Sequence, residues 1–323
     1  MSILFGGFIV AYGWGVYGHY KINRGAILAL PKEMGMFFYN HADFITEESV
    51  APDIRKYTMN DKGEFPRHYI NLEKYNYVSQ GNMPKTIEEA NAKFGKDSVE
   101  RFGTLPWTIQ DVMTKLTKAM KEKNKAEILF LSANLGHYIG DAHMPLHTTE
   151  NHDGQLTGQK GIHALWESQL PELFGKNYSL FAEAHYIDNV EKATWDIIDS
   201  SHKLVYTLLY NDAKLRKDKP IEMLYKLGAN GQPEKNKYGQ NIHSFEYAHV
   251  YHELLSGMVE KQMRAAIGAT SSFWYTAWVN AGKPDLSSLD PKYITDRNVK
   301  FYQEDIAYWK KGKVTGYKSV NEY

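Results

Sequence analysis

Gly136-His137-Tyr138-Ile139-Gly140-Asp141-Ala142-His143-Met144-Pro145-Leu146-His147-Thr148-Thr149-Glu150-Asn151 closes a stretch that begins at Lys125 and is apolar almost all round. That pattern marks a central helix, buried on every side. His137 and Asp141 stand at i and i+4 and project from one helical face, and Pro145 ends the helix so that His147 turns back toward the same place. Further on, Gly161-Ile162-His163-Ala164-Leu165-Trp166-Glu167-Ser168 repeats the device, with His163 and Glu167 again at i and i+4. Two His-carboxylate pairs and a loop histidine form a divalent-metal constellation of nitrogen and oxygen ligands, which suits zinc better than magnesium. Any one of these residues alone reads better as a packed or surface side chain, and one i,i+4 pair as a helix-stabilising contact. The combination carries the argument.

Outward from this helix, apolar residues recur at helical spacing over Asn23–Leu30, Glu33–Ile45, Thr86–Phe102, Thr108–Lys121, His163–Leu173, Asn189–Asn211, Ser244–Ile267 and Ser271–Ala281. Pro31 separates the first two, and Thr86 with Glu88 and Glu89 suits an N-terminal cap. Strand signals are weak and scattered, so the fold class is all-α, in a single large multi-helix domain. Asp212–Gln240 is rich in Lys, Asn and Gly and reads as a surface excursion. The tail after Pro284 has too few aliphatic residues for a core of its own, so 285–323 reads as an extension of a domain over 14–284.

The chain has 323 residues, 38 Lys+Arg against 38 Asp+Glu, no cysteine and 13 histidines. Disulfides and thiolate metal sites are excluded. A balanced charge gives no global attraction to a polyanion, and a mean hydropathy of −0.51 excludes a membrane bundle. Ile3 to Val10 is an apolar run of signal-peptide length, followed by Ala11-Tyr12-Gly13 with small residues where a signal peptidase reads, although no Lys or Arg precedes Lys21.

The constellation extends upstream through Trp14-Gly15-Val16-Tyr17-Gly18-His19, Ala51-Pro52-Asp53-Ile54-Arg55 and Arg67-His68-Tyr69-Ile70. In this ordered series the sequence resembles the superfamily of bacterial zinc-dependent phospholipases C and fungal and plant single-strand-specific nucleases, over roughly Trp14 to Pro284. The resemblance implies a mainly helical domain holding three zinc ions in a cleft. Asp53, His68, His137 and Asp141 would hold one zinc, and His147, His163 and Glu167 a second. The third would take His19, Asp141 as a bridge, and the free amine and carbonyl oxygen of an N-terminal Trp14. That last ligand requires cleavage after Gly13, and so implies 1–13 as a signal peptide and an exported, periplasmic or secreted protein.

Paired metals share and activate a water for phosphoester displacement. Asp53 is the candidate for orienting that water or accepting its proton, and Arg55 or Lys56 for neutralising charge on the phosphoryl oxygens. The read of Arg55 and Lys56 as solvated helix-end charges is equally open. Spacing of the first motif and the Asp53-to-His68 interval resemble the nuclease branch, whereas Glu167 and the short His147-to-His163 interval resemble the phospholipase branch. Abundant Tyr and Trp suit base stacking and a choline cage equally, and most of them read as core packing. The expectation is a phospholipase-C-like phosphodiesterase acting on a phosphodiester substrate, with a peripheral membrane contact and no protein partner. The alternative is a single-strand nuclease or 3′-nucleotidase on the same site, and the third reading is a non-catalytic module with one structural zinc.

Overall fold

The computed structural model describes residues 14–57, 59, 61–77, 80–236, 239–290 and 295–316, so the signal-peptide segment expected over 1–13 lies outside the described residues. The helices are α1 Gly15–Ala29, α2 Lys32–Asn40, α3 Ala42–Glu47, α4 Ala51–Tyr57, α5 Ile87–Phe94, α6 Lys96–Phe102, α7 Leu105–Lys121, α8 Lys125–Ala142, α9 Ile162–Ala164, α10 Leu170–Phe174, α11 Val190–His202, α12 Val205–Arg216, α13 Ile221–Leu224, α14 Phe245–Leu254, α15 Met258–Asn280 and α16 Asp296–Trp309. Among the described residues the only extended pairing is a set of isolated antiparallel bridges, Tyr225 with His243, Leu227 with Pro233 and Lys235 with Asn241. The chain is all-α.

Several expected helices divide or merge; 189–211, for one, divides at Lys203 and Leu204 into α11 and α12. The 86–102 segment starts at Thr86, whose hydroxyl accepts the Glu89 amide at 3.2 Å, but breaks at Gly95, where φ is +83°. The 33–45 segment breaks at His41, whose ring is tied to Asp290 across the fold at 2.5 Å. The 244–267 segment breaks at Ser256 and Gly257, both at positive φ. Beyond it, the 268–270 interval between two expected helices is itself helical: Ser271 and Ser272 return their hydroxyls to the Gly268 carbonyl at 3.0 and 2.7 Å, within continuous α15.

Two apolar clusters flank the centre. One gathers Phe38, Ile109, Leu116, Ile139, Trp195 and Trp274; the other gathers Trp14, Ile22, Leu146, Trp166, Tyr251 and Ile267. Each such fully buried side chain contributes about 1.5–3 kcal/mol. Helix α8 is buried from Ile128 nearly to its end, apart from the exposed Phe130, as its all-round apolar pattern predicts. The polar residues of its last two turns meet α1 and the 145–169 segment where the two clusters join.

The tail is docked. Helix α16 buries Tyr302 and Trp309, Leu180 donates to the Gly312 carbonyl at 2.9 Å, and the buried Arg24 of α1 donates to Thr315 O at 3.1 Å and pairs with Asp305 at 3.5 Å. No helix among the described residues is long and apolar enough to cross a membrane.

Candidate metal centre

Helix α8 aims His137 and Asp141 inward from one face, as i,i+4 geometry dictates, with His137 Nε2 3.2 Å from Asp141 Oδ2. Short α4 brings Asp53, and a 3₁₀ turn at Phe65–His68 brings His68, whose Nδ1 lies 2.9 Å from Asp141 Oδ2, 3.0 Å from His137 Nε2 and 3.6 Å from Asp53 Oδ1. From α1, His19 stacks on His137 with ring centroids 4.0 Å apart and places Nε2 3.5 Å from Asp141 Oδ1. Pro145 starts a second 3₁₀ turn that returns His147, so that its Nε2 sits 3.2 Å from His163 Nε2 and 3.7 Å from Glu167 Oε2. His163 and Glu167 are 2.9 Å apart, on a helical segment whose middle, Leu165–Gln169, is a π-turn.

These side chains form three buried groups able to hold an ion: His19, His137 and Asp141; Asp53, His68 and His137; and His147, His163 and Glu167. Ligands bonded to a tetrahedral zinc at about 2.0–2.1 Å lie about 3.3 Å from one another. The spacings of the third group, 3.2, 2.9 and 3.7 Å, bracket that edge. Asp53 Oδ2 and Asp141 Oδ1 are buried without hydrogen-bond donors among the described residues, which is what a cation rather than a donor network would complete. The imidazoles are set for the same task. His137, His147 and His163 each point Nδ1 at a backbone carbonyl, of Ser49, His68 and His152, at 2.8, 2.6 and 2.7 Å. An N–H donated there leaves the lone pair of Nε2 facing inward. The residues fit divalent metal.

Electrostatics agree. Burial pulls the His147 imidazole down to about 3, so the ring is neutral and ligand-ready near pH 7. Burial and the Lys56 cation hold His68 well below its ordinary value. Burial alone would raise Asp141, yet the surrounding His137, His147 and His68 hold it well below the usual carboxylate range. Burial pushes Glu167 up to about 7; burial would lower His163, but Glu167 and Asp153 carry it up to about 9. These two groups therefore compete for a proton that a bound cation displaces.

Arg55 and Lys56, adjacent in sequence, diverge in space. Lys56 is buried and its Nζ lies 2.9 Å from Asp53 Oδ1, whereas Arg55 turns away, donating to Glu64 Oε2 at 2.9 Å and Asn134 Oδ1 at 2.5 Å. Trp14 is fully buried at the start of α1. Its backbone nitrogen donates to Glu167 Oε2 at 3.0 Å, and its indole to Gly140 O at 2.6 Å. Two supporting residues escape the sequence reading. Asp153 accepts the Gly161 amide at 2.9 Å and the His163 amide at 3.4 Å, fixing the start of the His163 helix. Glu64 lies behind His68; its signal was available, since Glu64 and His68 have the same i,i+4 spacing as the two pairs read first.

The match to known proteins covers this region. The S1/P1 Nuclease family model matches residues 14–201, which contain every candidate ligand named above. Nuclease S1 of Aspergillus oryzae is 26% identical over 196 residues, covering 55% of this chain and 62% of that protein. The chain thus covers less than two thirds of the length of that relative. With its ordered ligand series and helical architecture inside a family match spanning more than half its length, the chain belongs to the S1/P1 nuclease family.

Proposed function

We propose that the chain is a zinc-dependent phosphodiesterase of the nuclease kind, acting on single-stranded polynucleotides or on 3′-nucleotides. The observation that carries this is the convergence of three buried His/carboxylate groups inside the segment matched by the nuclease family. It reverses the order expected from the sequence, where the phospholipase-like reading stood first. Bound by these groups, paired divalent ions supply an activated water and neutralise phosphoryl oxygens.

The chain's own residues prepare and complete that chemistry. Asp53 orients the attacking water and accepts its proton. Lys56, held against Asp53, offsets the charge that grows on the phosphoryl group. Phe65, 52% exposed, has its ring 5.9 Å from Lys56 Nζ and edge-on to Tyr69. Aromatic rings beside a cation suit a base and its phosphate, whereas the same cation repels the quaternary ammonium of phosphocholine.

We further propose the ligand sets implied by resemblance, with three zinc ions, a zinc-binding domain at 14–284, and export with cleavage after Gly13. The burial of the Trp14 nitrogen against Glu167 supports that cleavage, because the freed amine would lie among the ligands. Side-by-side assays with added zinc on single-stranded DNA and on a phosphocholine ester test the substrate class. Hydrolysis of the polynucleotide is expected, and turnover of the phosphocholine ester alone would overturn the reading. Fewer than two zinc ions per chain would favour the non-catalytic module. N-terminal sequencing of exported protein should begin at Trp14; full zinc content with 1–13 retained would remove Trp14 from the ligand set.

A further inference from the structure

Glu64 is fully buried and belongs to none of the three ligand groups. Its Oε2 accepts Arg55 Nε at 2.9 Å and faces Arg67 Nη1 at 3.5 Å, while its Oε1 accepts the Tyr138 hydroxyl. The same Oε1 lies 3.6 Å from His68 Nε2, an ion-pair distance rather than a hydrogen bond. His68 Nε2 is buried and has no hydrogen-bond partner among the described residues. The outer nitrogen of this imidazole therefore faces one carboxylate.

That arrangement selects a tautomer. A neutral imidazole carries one N–H; with a cation held by Asp53 and Asp141 on the Nδ1 side, the carboxylate beside Nε2 favours the proton there. The lone pair is then on Nδ1, the atom that faces Asp141 Oδ2, His137 Nε2 and Asp53 Oδ1. His137, His147 and His163 have their outer nitrogens set by backbone carbonyls, which no substitution removes. Of these four rings, His68 alone depends on a side chain.

We propose that Glu64 is a positioning residue of the metal centre, fixing the tautomer and orientation of His68 for zinc, and that Arg55 and Tyr138 serve the site by holding Glu64. This assigns Arg55 a place behind the ligands, away from the reacting phosphate. The inference rests on the metal centre proposed above. Loss of such an outer partner lowers metal affinity about 10–100-fold.

The test is zinc release from the zinc-loaded full chain to a graded chelator, read as zinc retained per chain, with circular dichroism and thermal unfolding in parallel. Glu64→Ala should release one zinc ion at about 10–100-fold lower chelator strength while the others follow wild type. Glu64→Gln, whose amide carbonyl still faces His68 and accepts from Tyr138, should recover part of that retention. A folded Glu64→Ala protein that keeps all its zinc as firmly as wild type overturns the proposal, as does equal weakening of every zinc ion together with a lowered Tm. If Glu64→Ala does not fold, Glu64→Gln decides, and wild-type retention by that variant overturns the role. Wild-type protein that takes up no zinc removes the metal centre itself, a different failure from that of Glu64.

Discussion

Two clusters of buried polar side chains lie in this molecule, and they are satisfied in opposite ways. At Asp212 every lone pair is answered from within the chain. Arg216 donates at 2.6 and 3.1 Å, the Tyr247 hydroxyl at 2.6 Å and Gln159 at 2.8 Å. At Asp141 the neighbours are imidazoles, and Oδ1 has no hydrogen-bond donor among the described residues. A carboxylate met by guanidinium and hydroxyl is complete as folded. One ringed by imidazoles, with an oxygen that no donor reaches, is completed by a cation. The difference separates a structural cluster from a binding centre more sharply than burial, which is total at both aspartates.

The comparison breaks first at Asp212. Asp212→Ala leaves Arg216 without its partner and should destabilise the fold by about 3–5 kcal/mol. Zinc content and turnover of the folded fraction should match wild type; zinc loss in that variant would mean that the two clusters are coupled. Asp141→Asn should do the reverse, lowering turnover by at least about 100-fold and weakening more than one zinc ion, because Asp141 faces ligands of two groups. It should exceed His19→Ala in effect. Equal losses in kinetic and metal assays would remove the sharing.

A smaller effect, about 10–100-fold in kcat, is expected for Lys56→Met, with zinc retention unchanged, on the proposal that Lys56 offsets phosphoryl charge rather than holding metal. Arg55→Met should instead weaken zinc retention through Glu64. Exchange of these two phenotypes would reverse the placement of the neighbouring cations.

The smallest effect concerns pH at the structural cluster. Burial pulls the His243 imidazole down to about 3 from 6.5, with Asp212 opposing and Arg216 reinforcing that fall. Between these values the unfolded chain binds a proton that the folded chain refuses, so stability falls as pH drops from 6.5 toward 3 and is unaffected above 6.5. His243→Phe should flatten the stability curve by up to one proton in that window, as measured by urea unfolding at several pH values. An unchanged slope would show that His243 is not the group that titrates.

What could be read from the sequence divides along the same line. His137 with Asp141, and His163 with Glu167, were legible because one local geometry, the helical turn, places both members. Asp53, His68 and His19 were legible through resemblance alone, since nothing local says that α4, a 3₁₀ turn and α1 meet. Arg55 and Lys56 could not be told apart, because on a short helix one residue turns the side chain by about 100° and tertiary packing decides which direction is inward. The helix breaks at Gly95 and at Ser256-Gly257 were marked by glycine, yet the apolar periodicity on either side masked them. The 268–270 interval of α15 misled in the other direction: the chain stays helical through Gly268, whose carbonyl accepts the Ser271 and Ser272 hydroxyls. The tail could be recognised as an extension by its composition, but the buried Arg24 that anchors it could not.

The π-turn at Leu165–Gln169 links the two clusters. Glu167 on it meets His163, and Gln169, two residues on, brackets the His243 backbone, donating to its carbonyl at 2.7 Å and accepting from its amide at 3.1 Å. Both aims depend on the chain having its present length through this turn. Deleting one residue would restore an ordinary helix and swing everything beyond it by about 100°, turning Gln169 and Leu170 off their partners while His163 stayed in place. In this stretch, therefore, length constrains more than composition: substitutions act one contact at a time, whereas a one-residue deletion uncouples the helix that carries His163 from the segment around His243 in a single step.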